Sequence, residues 1–263
     1  MTDNPYIPFP MKVTSVVKET AIDWTFRVEA DFTPIGGQFL QLSIPGVGEA
    51  PISISDFGPG WIDMTIRKVG RLTDVIFDLK PGQDIFARGP YGNGFDLNQY
   101  RGKNLFMVTG GTGLAPVKNI VTHFHNHPEE IKSFTLILGF KSPEDILFAE
   151  EIKAWSKNIN VILTVDKEQE GWTGNTGLVT QYISDYDFGT EPTEVIVVGP
   201  PMMMKFSTLA LVRKEIPKEN IWVSFERKMS CGIGKCGHCK IDETYVCLEG
   251  PVFNYPKAQQ LLD

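Results

Sequence analysis

No apolar run in this sequence approaches the length of a membrane span. There is no excess of positive charge either. The 25 Lys and Arg residues are outnumbered by 32 Asp and Glu, for a net charge of −7, which argues against a nucleic-acid surface or a polybasic membrane patch. The opening MTDNPYIPFPMKV has neither a basic start nor an apolar stretch behind it, so no secretory signal is expected. Cysteine is scarce: four in 263 residues and none before Cys231, which excludes a disulfide framework running through the chain. A cytoplasmic protein is expected, with neither nucleic acid nor membrane as partner. What is present is ordinary for a globular chain, with 42% hydrophobic and 22% charged residues and enough length for two cores.

The four cysteines sit together as Cys231-Gly-Ile-Gly-Lys-Cys236-Gly-His-Cys239, with Cys247 seven residues further on. This C-x4-C-x2-C…C spacing is the plant-type [2Fe–2S] pattern, and thiolates are soft ligands suited to iron and sulfide. Gly232, Gly234 and Gly237 allow the sharp turns that bring backbone N–H groups toward a cluster's sulfurs. Structural zinc, which favours two C-x2-C knuckles, is the competing reading; disulfides come third. His238 between two ligands reads as a surface side chain.

From Met11 to Pro90 the chain reads as short strands: Lys12–Lys18, Thr25–Glu29, Phe39–Ile44, Ile52–Ser55, Trp61–Arg67 and Asp84–Arg88. They alternate, as in Trp61-Ile-Asp-Met-Thr-Ile-Arg67, and Gly/Pro clusters separate them. That pattern predicts a small antiparallel barrel. Arg71–Leu79 carries Leu72, Val75, Ile76 and Leu79 at helical spacing. Gly70 and Thr73 mark its start, which taken alone reads as a capped helix rather than a phosphate site.

After Gly89-Pro-Tyr-Gly-Asn-Gly94, read as a linker, strands Leu105–Thr109, Phe134–Gly139, Val161–Val165, Val195–Val198 and Ile221–Phe225 alternate with helical segments. These helices are predicted over Val117–His123, Asp145–Trp155, Val179–Tyr186 and Met203–Lys214. Such alternation predicts a parallel sheet covered by helices, with ligands bound beyond the strands' C-terminal ends. Gly110-Gly-Thr-Gly-Leu-Ala-Pro116 stands at such an end, as does Gly199-Pro200. Glycines there let backbone approach a pyrophosphate, although the G-x-G-x-x-G fingerprint is lacking. His123, His125 and His127 read as a solvated helix end, and Met202–Met204 as core packing.

A barrel, a nucleotide-type domain and a cysteine loop, in that order, resemble the ferredoxin–NADP reductase superfamily over nearly the whole chain. More narrowly they resemble the branch of dihydroorotate dehydrogenase electron-transfer subunits, sulfhydrogenase gamma subunits and anaerobic sulfite reductase subunits B. The stretch from Val223 to Tyr255, with Leu261-Leu-Asp263, is most similar to the sulfite reductase members. The resemblance implies FAD, NAD(H) and a [2Fe–2S] cluster as cofactors, held in three parts: 1–97 for FAD, 98–225 for the nicotinamide nucleotide, 226–263 for the cluster.

By position, Pro51, Ile52, Ser53 and Ile54 stand in the flavin segment R-x-[YF]-S, with the Ser53 hydroxyl assigned to flavin N5. Ile66, Arg67 and Lys68 match the strand beside the flavin's adenylate. Gly70, Leu72 and Thr73 match the helix start that holds its pyrophosphate. Gly110, Gly111, Thr112, Gly113 and Pro116 match the nicotinamide nucleotide's phosphate loop. Gly199, Pro200 and Met202 are assigned to the C-G-P-x-x-M segment beside the nicotinamide. Cys231, Cys236, Cys239 and Cys247 are the cluster ligands. Three departures stand out: Ala50 for the usual arginine, which leaves FMN as an alternative to FAD; Ile52 for the aromatic; Val198 for the cysteine.

The expected function is electron input. NADH gives two electrons together, a flavin accepts them and releases them singly, and the cluster carries them on. The sulfite reductase resemblance implies two partners, an iron–sulfur subunit and a sirohaem catalytic subunit, with Phe253 and Tyr255 near the exit. The same role for a hydrogenase or a dihydroorotate dehydrogenase is the alternative.

Overall fold

The computed structural model describes residues 4–261 of the chain. Met1–Asp3 and Leu262–Asp263, part of the signal and tail readings above, lie outside the described residues. The chain forms two compact units. One comprises Met1–Phe95 with Phe225–Val252, the other Asp96–Ser224 with Phe253–Asp263.

In the first unit, β1 (Phe9–Lys18), β2 (Asp23–Glu29), β3 (Phe39–Ile44), β4 (Gly48–Gly58), β5 (Trp61–Arg67) and β6 (Asp84–Tyr91) close into a barrel of order β1-β2-β5-β4-β3-β6. Alternation sorts the side chains as predicted. Phe26, Val28, Leu40, Leu42, Ile62, Met64 and Ile66 fill the interior, each worth about 1.5–3 kcal/mol on burial. The residues between them face out and are tied across strands. Arg27 is bonded to Asp63 at 2.7 Å, Arg67 to Asp23 at 2.8 Å, and the Thr25 and Thr65 hydroxyls meet at 3.0 Å. Helix α1 (Arg71–Ile76) follows, and Ile76 and Phe77 pack into the same core.

Strand β4 is longer than the expected Ile52–Ser55. Glu49, Ala50 and Pro51 carry no alternation signal, yet they pair with Ser43, Leu42 and Gln41, and an irregularity between Ile54 and Asp56 lets the strand continue.

In the second unit, the strands are β7 (Asn104–Gly110), β8 (Ser133–Phe140), β9 (Asn160–Val165), β10 (Asn175–Thr176), β11 (Thr193–Val198) and β12 (Ile221–Ser224). Helices α2 (Lys118–Asn126), α3 (Ala149–Trp155), α4 (Val179–Asp185) and α5 (Pro201–Arg213) alternate with them. The strands pair in parallel. Their near-continuous apolar character follows from burial on both faces. Two helices begin later than expected. Gly111–Val117 forms a 3-10 turn before α2, and a 3-10 turn at Pro143–Asp145 followed by Phe148 at φ 56° delays α3.

After β12 the chain forms the small hairpin β13 (Lys240–Ile241) and β14 (Thr244–Tyr245), the turn α6 (Val246–Glu249), the strand β15 (Val252–Asn254) and the turn α7 (Tyr255–Ala258). The sheet order is β10-β9-β8-β7-β11-β12-β15. Strand order therefore reverses between β7 and β11, the switch point where ligands bind in sheets of this type. Among the described residues no helix is long and apolar enough to cross a membrane.

Candidate functional site

The cysteine loop is shaped around its sulfurs. Cys231, Cys239 and Cys247 are buried and Cys236 is exposed. Backbone N–H groups of Ile233, Lys235 and Cys236 donate to Cys231 Sγ at 3.3–3.4 Å, and Gly234 N–H donates to Cys247 Sγ at 3.2 Å. These are the contacts that hold thiolates and tune a cluster. Gly232 is required by sterics, because at φ 74° a Cβ would lie 2.6 Å from the Tyr91 ring. As bare thiols the ligands differ. The His238 N–H, the largest influence, helps bring Cys236 down to about 7, whereas burial and neighbouring thiols push Cys247 up to about 12. A soft, multiply charged metal centre relieves that opposition by taking all four as thiolates, so the donor set fits an iron–sulfur cluster.

Beside the loop, in the same unit, lies the edge of β6. Arg88 sends its guanidinium to the carbonyls of Ser230 at 2.8 Å and Cys231 at 3.0 Å, and pairs with Glu49 of β4. Burial works against its charge, but Glu49 outweighs burial and holds the group more firmly protonated. Asn93 bonds to the backbone of Glu249, Gly250 and Val252. Gly89–Gly94 is therefore not a slack linker. It is the seat of the cysteine segment, and its glycines serve close approach, since a Cβ on Gly92 would meet Pro251 at 2.6 Å.

The predicted flavin residues line β4 and the β5–α1 junction. Pro51 and Ser53 face outward from the barrel, opposite Gln41 and Phe39 of β3. Ile54 is in the barrel core and its N–H is taken by the Gln38 carbonyl; Ile52 packs on the core from outside it. Ile66 is likewise a core residue, and Arg67 is held bidentate by Asp23, so both side chains already have structural work. Lys68 lies within 3.9 Å of Asp74 at the start of α1. Thr73 Oγ1 accepts the N–H groups of Val69 and Gly70 and donates to the Gly70 carbonyl, fixing the turn that also carries Leu72. Gln41 supplies the test of fit. It is fully buried and neither end of its amide has a partner, opposite Pro51. Such a group costs about 1–3 kcal/mol unless a further molecule satisfies it, which is what a polar ring seated on this face would do.

In the sheet unit the two predicted phosphate-side loops come together. β7 and β11 are neighbours with Thr109 opposite Val198, so Gly110–Pro116 and Gly199–Pro200 leave adjacent strand ends. A Cβ on Gly113 would lie 2.5 Å from the Val198 carbonyl oxygen, which explains glycine there, and Gly111 takes φ 53°. Thr112 stands between them in the 3-10 turn that ends past Pro116. Met202 is 61% exposed, while the Met203 sulfur is the atom a Cβ on Gly110 would strike, at 2.4 Å. Counted from Gly199, the C-G-P-x-x-M spacing ends at Met203, one residue beyond the expected position. Of the methionine run, only Met204 is a core residue.

The histidines go separate ways: His123 to Glu130 at 2.7 Å, His125 to Asn158, and His127 to Glu129 at 3.4 Å. Ser142 donates to both Glu144 and Asp145, at 3.0 and 2.8 Å.

Sequence reasoning missed Gln41, Arg88, Asn93 and Met203. Only Met203 had a signal, its spacing from Gly199.

Comparisons with known proteins agree with this geometry. Residues 107–208 match the oxidoreductase NAD-binding domain, and residues 226–258 match the iron-sulfur cluster binding domain of dihydroorotate dehydrogenase B. Sulfhydrogenase 1 subunit gamma of Pyrococcus furiosus is 38% identical over 271 residues, covering 96% of this chain and 92% of the relative. The probable dihydroorotate dehydrogenase B (NAD(+)), electron transfer subunit, of the same organism is 35% identical over 225 residues, covering 85% and 80%. Among solved structures, an NADH-dependent reduced ferredoxin-NADP oxidoreductase described for flavin-based electron bifurcation superposes with a TM-score of 0.78 at 25% identity, covering 96% of this chain and 92% of that one. The cytochrome b5 reductase domain of Ulva prolifera nitrate reductase shares the fold, with a TM-score of 0.72 at 19% identity over 84% and 98% of the two chains. FAD, NAD(H) and an iron–sulfur cluster are the cofactors that go with these matches. The chain belongs to the ferredoxin–NADP reductase-like family of NAD(P)H oxidoreductases, together with the sulfhydrogenase gamma and dihydroorotate dehydrogenase B electron-transfer subunits.

Proposed function

We propose that this chain is the NADH-oxidising electron-input subunit of a hetero-oligomeric redox complex, of the kind served by sulfhydrogenase gamma. The observation that carries this reading is the cysteine loop clamped to the barrel face that bears Pro51–Ser53, so that one unit offers both a flavin seat and a cluster seat. Bound there, FAD converts the electron pair of NADH into single electrons, and a [2Fe–2S] cluster passes them on.

The chain's own residues bind and orient. In this reading Gly110, Gly111, Thr112, Gly113 and Pro116 receive the nucleotide's phosphates on backbone N–H groups, with Gly199, Pro200 and Met203 closing the adjacent strand end. The first turn of α1, with Gly70, Leu72 and Thr73, faces the flavin's pyrophosphate, and the Ser53 hydroxyl serves its reactive nitrogen. Cys231, Cys236, Cys239 and Cys247 hold the iron. The parts 1–97, 98–225 and 226–263 divide the work between flavin, nicotinamide nucleotide and cluster.

The reading moves from sulfite toward hydrogenase or dihydroorotate dehydrogenase partners. The stretch that resembles sulfite reductase subunits is also the one that matches the dihydroorotate dehydrogenase B iron–sulfur domain, and the sulfhydrogenase gamma likeness runs over 96% of the chain. Anaerobic purification with co-purifying subunits, followed by NADH-dependent turnover on protons, orotate or sulfite, tests it. Activity with the first or second acceptor is expected. Sulfite-dependent turnover with a sirohaem subunit would restore the other assignment, and a colourless chain holding only zinc would sink both.

A further inference from the structure

Arg88 stands apart from every residue assigned so far. It lies in the middle of a barrel strand, only 5% exposed, on the outer face where β3, β4 and β6 run side by side. Its neighbour in register on β3 is Gln41, whose other neighbour is Pro51 on β4. Glu49, two residues before Pro51, reaches across β3 to pair with the guanidinium. The remaining donors leave the barrel: Nη2 bonds the Ser230 carbonyl at 2.8 Å and Nη1 the Cys231 carbonyl at 3.0 Å. Nη1 also approaches the Pro5 carbonyl at 3.3 Å and the Tyr91 hydroxyl at 3.5 Å. The planar fork thus joins three pieces of chain that sequence places far apart: the strand leading into Pro51–Ser53, the strand leading into Tyr91, and the first cysteine of the loop.

Two physical consequences follow. The fork is rigid and always charged, so it fixes the Ser230–Cys231 turn in distance and in angle against β4. Its charge also lies at the backbone of a ligand, in a buried place where charges are weakly screened. A [2Fe–2S] cluster gains one negative charge on reduction, and a nearby cation stabilises the reduced form. Net charge around the cluster is one of the properties that set its potential.

We propose that Arg88 is a positioning residue for electron transfer. With Glu49 it clamps the Cys231 end of the cluster loop to the flavin-bearing strand, and its charge raises the reduction potential of the cluster. The proposal rests on the assignment of the four cysteines to a [2Fe–2S] centre.

The test uses the full chain carrying flavin and cluster, prepared without oxygen. An EPR-monitored titration gives the cluster midpoint. Rapid mixing with NADH separates flavin reduction from the rise of the reduced-cluster signal. In Arg88→Met the midpoint is expected to fall by about 59 mV, a tenfold change in the oxidised-to-reduced ratio of a one-electron couple. Cluster reduction should slow about tenfold relative to flavin reduction in the same trace, the effect of a displaced loop. Arg88→Lys restores the charge without the fork, so the midpoint returns toward wild type while transfer stays slow. Glu49→Gln leaves the cation without its counter-charge and moves the midpoint upward.

Wild-type midpoint and wild-type transfer ratio in Arg88→Met would overturn the proposal. If that variant does not retain its cluster, the other two decide. A slow lysine variant or an upward shift in the glutamine variant supports the clamp, and wild-type values in both overturn it. A wild-type chain that binds neither flavin nor iron would instead sink the function proposed above.

Discussion

Asn93 and Val252 bond to each other twice: the Asn93 amide donates to the Val252 carbonyl at 2.8 Å, and the Val252 N–H donates to the Asn93 side-chain oxygen at 3.0 Å. The same amide also reaches the Glu249 carbonyl at 3.0 Å. A single side chain therefore imitates a strand and stitches the end of the cysteine segment to the barrel. Replacing it by alanine removes every one of these bonds at once. Asn93→Ala is expected to cost about 2–4 kcal/mol, at roughly 1 kcal/mol per bond plus the penalty for stranded backbone groups. Thermal unfolding measures the loss, and a lower iron content per chain locates it.

Gly232 makes a second, sharper test of the same segment. Its φ of 74° and the Tyr91 ring 2.6 Å from a would-be Cβ leave no room for a side chain. Gly232→Ala should lower cluster occupancy severalfold while leaving FAD bound, at a conformational cost of about 1–2 kcal/mol before the clash is counted. Visible absorbance of flavin and cluster, read on one sample, checks it.

On the sheet unit, Gly113→Ala would force the 3-10 turn away from the Val198 carbonyl, 2.5 Å from the new methyl. Overpacking of this kind costs about 1–3 kcal/mol. Placed at the proposed nucleotide site, it should appear as a KM for NADH raised about tenfold or more, with flavin and cluster content intact. An unchanged KM would remove this loop from the binding site.

The coenzyme preference has its own signature. Lys141 and Ser142 follow the second strand of the sheet unit, where a 2′-phosphate is read in folds of this type. The Ser142 hydroxyl is engaged by Glu144 and Asp145, and the Gln169 amide also turns to Glu144. Two carboxylates here repel a phosphate and suit a ribose hydroxyl. NADH should be preferred over NADPH by about tenfold or more in kcat/KM, and Glu144→Gln with Asp145→Asn should narrow the ratio. Steady-state rates with both coenzymes decide it.

Much of this was legible in the residues. Strand alternation gave the barrel, because one face of each strand must be oily: Ile62, Met64 and Ile66 lie inside, Asp63, Thr65 and Arg67 outside. Uninterrupted apolar runs such as Leu105–Val108 gave the sheet, and cysteine spacing gave the loop. What stayed hidden depends on partners distant in sequence. Arg88 looks like any surface arginine until Ser230 arrives above it. Gly89–Gly94 has the composition of a linker, although Asn93 makes it an anchor. Val252–Asn254 is too short for periodicity to declare it a strand. The Arg67 side chain, assigned to a cofactor by position, turned out to be engaged with Asp23, a pairing visible only once β2 and β5 lie side by side.

The clamp also dictates when the metal centre can be born. Arg88 and Cys231 stand 143 positions apart along the chain. The entire nucleotide unit except its closing segment must therefore leave the ribosome before the barrel meets the loop it is built to hold. Iron insertion is thereby postponed until late in synthesis, and a nascent barrel waits with a buried-type arginine still open to solvent. Any maturation factor for this protein must act on a nearly finished polypeptide.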